Sequence, residues 1–189
     1  MKMNYEKKLK ELSEIVKSLA PNLQFHNWTH MQEVDNACKM YAQMEGLDEH
    51  NTYILRTAAL THDLYFEVGG IFNEEKTVDI TNKILSTLNY TTEEIKKVRK
   101  LIMATRLPTN PQNISEKIIC DADLDNLGRY DFFEKSELCR IEGGFEKKKW
   151  YEKQMPLFLN HVNYYTDSAK KLRGEKLKQN IEDLKVMKW

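Results

Sequence analysis

Apolar residues recur at helical spacing along nearly the whole chain. Tyr5, Leu9, Leu12, Val16 and Leu19 fall three or four apart, as on one face of a helix, and Pro21 closes that segment. The pattern predicts a second helix from about Trp28 to Met44, ending near Gly46. Asp48 can cap a third, which carries Tyr53 through Phe66 until Gly69 and Gly70 break it. A fourth is predicted from about Asn73 to Leu88. Thr91 and Glu94 have capping-box spacing and open a fifth that runs to about Thr105. Pro108 and Pro111 bound a loop, Ser115 opens a segment through Asn126, and Gly128 stops it. Further helices are expected at about 130–140, 145–163 and 167–185. No strand pair, repeat or low-complexity linker breaks the series. The pattern predicts one all-α domain over residues 1–189.

Composition then excludes several classes. The 29 basic and 29 acidic side chains cancel, leaving no global field to favour nucleic acid or an acidic membrane. Cys38, Cys120 and Cys139 are widely spaced with no CxxC pair, which points to buried reduced thiols rather than disulfides or structural zinc. The stretch MKMNYEKKLKELSEIVKSLA lacks the apolar core of a signal peptide. No run approaches the ~20 apolar residues a membrane helix needs. A cytoplasmic protein with no membrane or nucleic-acid partner is expected.

Three segments set metal-binding residue types in apolar surroundings. In Phe25-His-Asn-Trp-Thr-His-Met31, His26 and His30 stand four apart and share a face if the segment is helical. In AALTHDLYF, His62 and Asp63 sit side by side between apolar flanks. Cys120-Asp-Ala-Asp-Leu-Asp-Asn126 packs Asp121, Asp123 and Asp125 into five positions. Taken singly, each has a plainer explanation: a satisfied histidine, a hydrogen-bonded His-Asp pair, a solvated acidic face. Buried polar groups are costly without a partner, and a shared metal is one partner that answers for all three.

In chain order, the phrases HNWTH, AALTHDLYF and DADLDNLGR resemble the local signatures of the HD-domain superfamily of metal-dependent phosphohydrolases. FLNHVNYYT and EKLKQNIEDL are similar to the tails of its small stand-alone members, so the resemblance covers nearly the whole chain. It implies an HD-type helical bundle with a metal site between central helices. The implied ligands are His30, His62, Asp63 and Asp123, the last being the Asp of the Ala-Asp-hydrophobic run. Asp121 is then expected to orient a ligand or water, and Asp125 to be a surface or capping residue. Two imidazoles with two carboxylates suit one divalent ion, whether Mn, Fe, Co, Ni, Zn or, less well, Mg. Such an ion polarises a P–O bond and lowers the pKa of its bound water.

The resemblance also suggests roles around the metal. In the cyclic-nucleotide phosphodiesterases, the first His of an HNxxH phrase gives a proton to the leaving oxygen, and His26 matches it. The competing reading of His26 is a hydrogen bond that fixes the entry to the second helix. Asp63 would orient water as well as bind metal. Arg129, just past Gly128, is the first choice for a phosphate-binding cation, ahead of Arg106 and Lys117. His161 is assigned either to the pocket lining or to the core. Many small relatives carry His-Glu after the HD helix, whereas this chain has Asn73-Glu74, which argues for one metal rather than two. The expected function is hydrolysis of a phosphomonoester or phosphodiester in a small phosphorylated substrate, a nucleotide above all. The rival is a non-catalytic regulatory HD domain that binds metal or nucleotide.

Overall fold

Local capping sets most of the helix starts in the computed structural model, which describes residues 5–187. Helix α1 (Tyr5–Leu19) buries Leu9, Leu12 and Val16 as their spacing requires. Helix α2 (Trp28–Met44) starts where the Asn27 side chain accepts from the Thr29 and His30 amides at 2.8 and 3.3 Å. Asp48 accepts from the Asn51 amide at 2.8 Å and opens α3 (Glu49–Thr61). Helix α4 (Asn73–Thr87) follows, then α5 (Thr92–Ala104), whose Thr91–Glu94 capping box is complete. Each such cap contributes about 1 kcal/mol. Asn113 caps α6 (Ile114–Asp123), which runs into a 3₁₀ turn over Asp125–Gly128. The chain continues through α7 (Phe132–Glu142), α8 (Lys147–Lys149), a π turn (Trp150–Gln154), α9 (Met155–Leu159) and α10 (Asp167–Val186). Among the described residues there is no strand, and no helix is long and apolar enough to cross a membrane.

Helix α3 packs against α1, α2, α5 and α6. A helix surrounded in this way must be apolar on most of its faces, which is why Tyr53, Ile54, Leu55, Ala58, Ala59 and Leu60 are all buried. Met31, Val34, Cys38 and Tyr41 come from α2, and Ile118 and Ile119 from α6, to complete the core beside it. The start of α2 and the ends of α3 and α6 carry the three polar phrases.

Helix α3 departs from expectation at its end, stopping at Thr61 instead of Phe66. Thr57 and Thr61 turn their hydroxyls back onto the Tyr53 and Thr57 carbonyls, which loosens the last turns. The His62 ring then takes the Ala59 carbonyl at 2.8 Å, the acceptor that the Asp63 amide would use in a continuing helix. The expected helix at about 145–163 is likewise divided. Pro156 has no amide hydrogen to bond the Glu152 carbonyl one turn back, and the chain widens into the π turn before it.

Two acidic residues of the third phrase have different roles from those expected. Asp121 does not face the metal-ligand cluster: its oxygens accept the Tyr165 amide at 2.7 Å, the Thr166 amide at 2.8 Å and the Thr166 hydroxyl at 2.7 Å. It clamps α6 to the start of α10. Asp125 is buried rather than at the surface, accepting from the Tyr41 hydroxyl and from Arg173 Nε at 2.8 Å. Gly128 permits this close approach to α10. A Cβ there would lie 2.5 Å from Arg173 Cβ and 2.6 Å from its carbonyl oxygen.

Candidate metal centre

Three helix ends bring His30, His62, Asp63 and Asp123 to one point. His30 lies in the first turn of α2, His62 and Asp63 just beyond α3, and Asp123 is the last residue of α6. His62 keeps helical dihedrals, φ −63° and ψ −25°, as the cap of α3, with Asp63 in the turn that follows. One ligand atom from each residue lies within 4.8 Å of the others. His30 Nε2 is 3.1 Å from Asp123 Oδ1 and 3.5 Å from Asp63 Oδ2. His62 Nε2 is 3.1 Å from Asp63 Oδ2, 3.3 Å from Asp123 Oδ1 and 3.4 Å from His30 Nε2.

The donor chemistry fits a cation. A carbonyl only accepts, so the bond to Ala59 puts a hydrogen on His62 Nδ1 and leaves Nε2 as the ring nitrogen that faces the cluster. Asp63 Oδ2 is buried and has no aligned hydrogen-bond donor, although His62 Nε2 is only 3.1 Å away. A buried carboxylate oxygen without an aligned donor is suited to a cation. Burial pushes the His62 pKa down, but the Asp63 and Asp123 carboxylates outweigh it and hold the ring well above its ordinary value. Burial also opposes ionisation of Asp123, yet the His30 and His62 contacts hold its pKa far below the usual carboxylate range. The cluster draws positive charge, and the four side chains could hold a divalent metal ion as a mixed N/O set.

His26 sits beside this cluster, fixed by a residue that the sequence did not single out. The Phe25 and His26 amides donate to Glu142 Oε2 at 2.7 and 3.0 Å, and His26 Nδ1 pairs with Glu142 Oε1. The carboxylate accepts, so Nδ1 carries hydrogen and Nε2 remains available. The His26 ring stacks on Phe66 with centroids 3.4 Å apart and lies 5.8 Å from the His30 ring. Burial raises the Glu142 pKa, but the bonds from His26 and the two amides dominate and lower it. The two readings of His26 coexist in geometry: the residue anchors the entry to α2 and still faces the cluster.

Two arms of a cleft open from the cluster. The polar arm is lined by Glu67, Asn73, Glu74 and Arg106. Asn73 holds the preceding loop through the Glu67 amide and carbonyl, while Glu74 accepts from Arg106 Nε at 3.2 Å. The apolar arm, of about 370 Å³, is lined by Phe25, Phe66, Leu124, Phe145, Trp150 and Phe158 among others. Neither Arg129 nor Lys117 lines either arm. The Arg129 guanidinium is held instead by Asp131 and by Glu33 at 3.0 Å, so the expected phosphate contact is not in place. His161 is exposed and lines an outer hollow rather than the core. All three cysteines are free thiols, with Cys38 and Cys120 buried and Cys139 half-buried.

No protein-family model and no curated protein matches the chain. Solved structures do. YpgQ of Bacillus subtilis, in complex with ADP, aligns with a TM-score of 0.68 at 20% identity, over 94% of this chain and 96% of that one. A predicted HD superfamily hydrolase from an uncultured Thermotogales bacterium aligns at 0.67 and 18% identity, over 97% and 96%. A Lactobacillus plantarum protein aligns at 0.73 and 15% identity, also over 97% and 96%. Likeness at these identities establishes the fold: the chain is a small all-α protein with the HD-type fold.

Proposed function

We propose that this protein is a metal-dependent phosphohydrolase, acting on a phosphomonoester or phosphodiester bond in a nucleotide. The observation that carries the reading is the convergence of His30, His62, Asp63 and Asp123 within 4.8 Å, with the His62 tautomer set by Ala59. These four would hold one divalent ion, which when bound polarises the P–O bond and lowers the pKa of a coordinated water. Asp63, whose Oδ2 has no aligned donor, is suited to accept a hydrogen from the attacking water and so orient it. His26, protonated at Nε2 as well as Nδ1, would give a proton to the leaving oxygen, with Glu142 balancing the charge of the ring. Arg129 has no part in this scheme, because its guanidinium is engaged away from the cleft.

The single-metal reading is supported by Asn73 and Glu74. The first is committed to its loop and the second to Arg106. The nucleotide is supported by the apolar arm beside the cluster and by the ADP bound to the similarly folded YpgQ. A cytoplasmic setting accords with such a substrate. The test is hydrolysis of a generic phosphate ester and a nucleotide panel with Mn, Co or Ni added. Turnover that His62→Ala abolishes, with helical content retained, is expected. Metal and nucleotide binding with no turnover on any ester would overturn the hydrolase reading in favour of a regulatory domain.

A further inference from the structure

We propose that the cleft selects phosphate esters carrying one phosphate and a flat apolar group, and that it rejects polyphosphates. This rests on the metal-centre reading above and narrows its substrate class. The side chains lining the two arms include five carboxylates, Asp63, Glu67, Glu74, Asp123 and Glu142. Against them stand Arg106, already engaged by Glu74 and Glu75, and, outside the lining, Lys76, whose Nζ lies 3.6 Å from Glu67. No lysine is among the lining residues described. A divalent ion would offset Asp63 and Asp123, a protonated His26 would balance Glu142, and Glu67 and Glu74 already hold the nearby cations. One phosphate can be met by the ion itself. Each further phosphate enters a channel whose nearby cations, Arg106 and Lys76, are already held by carboxylates, without the unengaged Arg and Lys partners on which phosphate recognition depends.

The apolar arm supplies the other half of the selection. It begins at Asp123 and His26 and runs between the stacked pairs His26–Phe66 and Phe145–Trp150, the second with centroids 5.1 Å apart at 16°. Its volume of about 370 Å³ falls in the range of small-molecule sites, roughly 300–1,000 Å³. Leu107, Leu124 and Phe158 also border an outer hollow that continues past Pro108, Leu157 and Val162 and holds no Asp, Glu, Lys or Arg in its lining. An aromatic or larger apolar group attached to the phosphate therefore has a largely apolar surface to cover.

Calorimetry on the Mn-loaded protein tests this without requiring turnover. The probes are phenylphosphonate, whose P–C bond resists hydrolysis, with AMP, ADP, ATP and inorganic tripolyphosphate, all at matched free Mn. Phenylphosphonate and AMP are expected to bind, ADP more weakly than AMP, ATP at least tenfold more weakly than AMP, and tripolyphosphate weakest. ATP or tripolyphosphate binding as tightly as AMP would overturn the inference. Glu67→Lys, at an exposed position, is expected to narrow the AMP–ATP gap at least fivefold, less so at high salt. Phe158→Ala is expected to weaken phenylphosphonate and AMP alike at least fivefold while Mn affinity stays fixed. No change in either variant would also overturn it. The expected ranking with no turnover on any ester sinks the hydrolase reading alone. Turnover with the ranking reversed sinks this inference alone, and no binding by any probe sinks both.

Discussion

At the scale of single residues, identical side chains two positions apart serve different ends. Asp123 closes the metal-ligand cluster, whereas Asp121 satisfies three donors at the start of α10. Asp123→Asn should therefore lower Mn affinity at least tenfold with little loss of stability. Asp121→Ala should do the reverse, costing on the order of 3 kcal/mol through its orphaned donors, as paired calorimetry and urea unfolding would show. Glu142 has a pH signature. Its folded pKa lies below the ordinary glutamate value, so its stabilisation is present above that value and is lost as pH falls through the folded one. The stability difference between the native protein and Glu142→Gln should be clear at pH 7 and shrink at pH 3. A difference that does not change with pH would contradict the charged pairing. The four candidate ligands were legible because each sits in a short local phrase. Glu142 was not, since its partner His26 is 116 residues away and nothing near Glu142 marks it.

Among the elements, helix starts were more legible than helix ends. Asn27, Asp48, Thr91 and Asn113 act through neighbours two or three residues on, so the sequence carries the whole interaction, although the start of α6 is read from the sequence at Ser115 and lies at Asn113. Only the first of the four lay inside a phrase singled out for its chemistry. The end of α3 depends on a His62 ring bond to the Ala59 carbonyl, and apolar periodicity through Leu64, Tyr65 and Phe66 conceals that break. Pro156 was visible, yet the periodicity around it still read as one helix, where the structure has two short helices and a π turn. The packing of the 3₁₀ turn on α10 offers a test at this scale. Gly128→Ala must displace Arg173 or its backbone and should cost about 1–3 kcal/mol, the usual range for overpacking. Denaturant midpoints that match those of the native protein would mean that α10 yields at no cost.

For the whole molecule, the cluster joins α2, α3 and α6, so an ion there ties three core elements together. An ion at a free concentration one hundred times its Kd adds about 2.7 kcal/mol of stability. In a chain of this length that corresponds to a rise in Tm of roughly 5–10 °C. A thermal melt with and without Mn should show the rise, a chelator should reverse it, and His62→Ala should be insensitive to both. The HD-type fold was legible at this scale because spacing and order of the three phrases span the chain. The cleft was not, because its arms are lined from residues scattered between Phe25 and Phe158. The most direct measurement is a Mn titration of chelator-treated protein, comparing the native chain with His30→Ala, His62→Ala, Asp63→Ala and Asp123→Ala. One ion per native chain, with affinity lost in each variant whose helical content is intact, is the predicted result. An absence of binding by the native chain, or binding that survives these substitutions, would contradict the account.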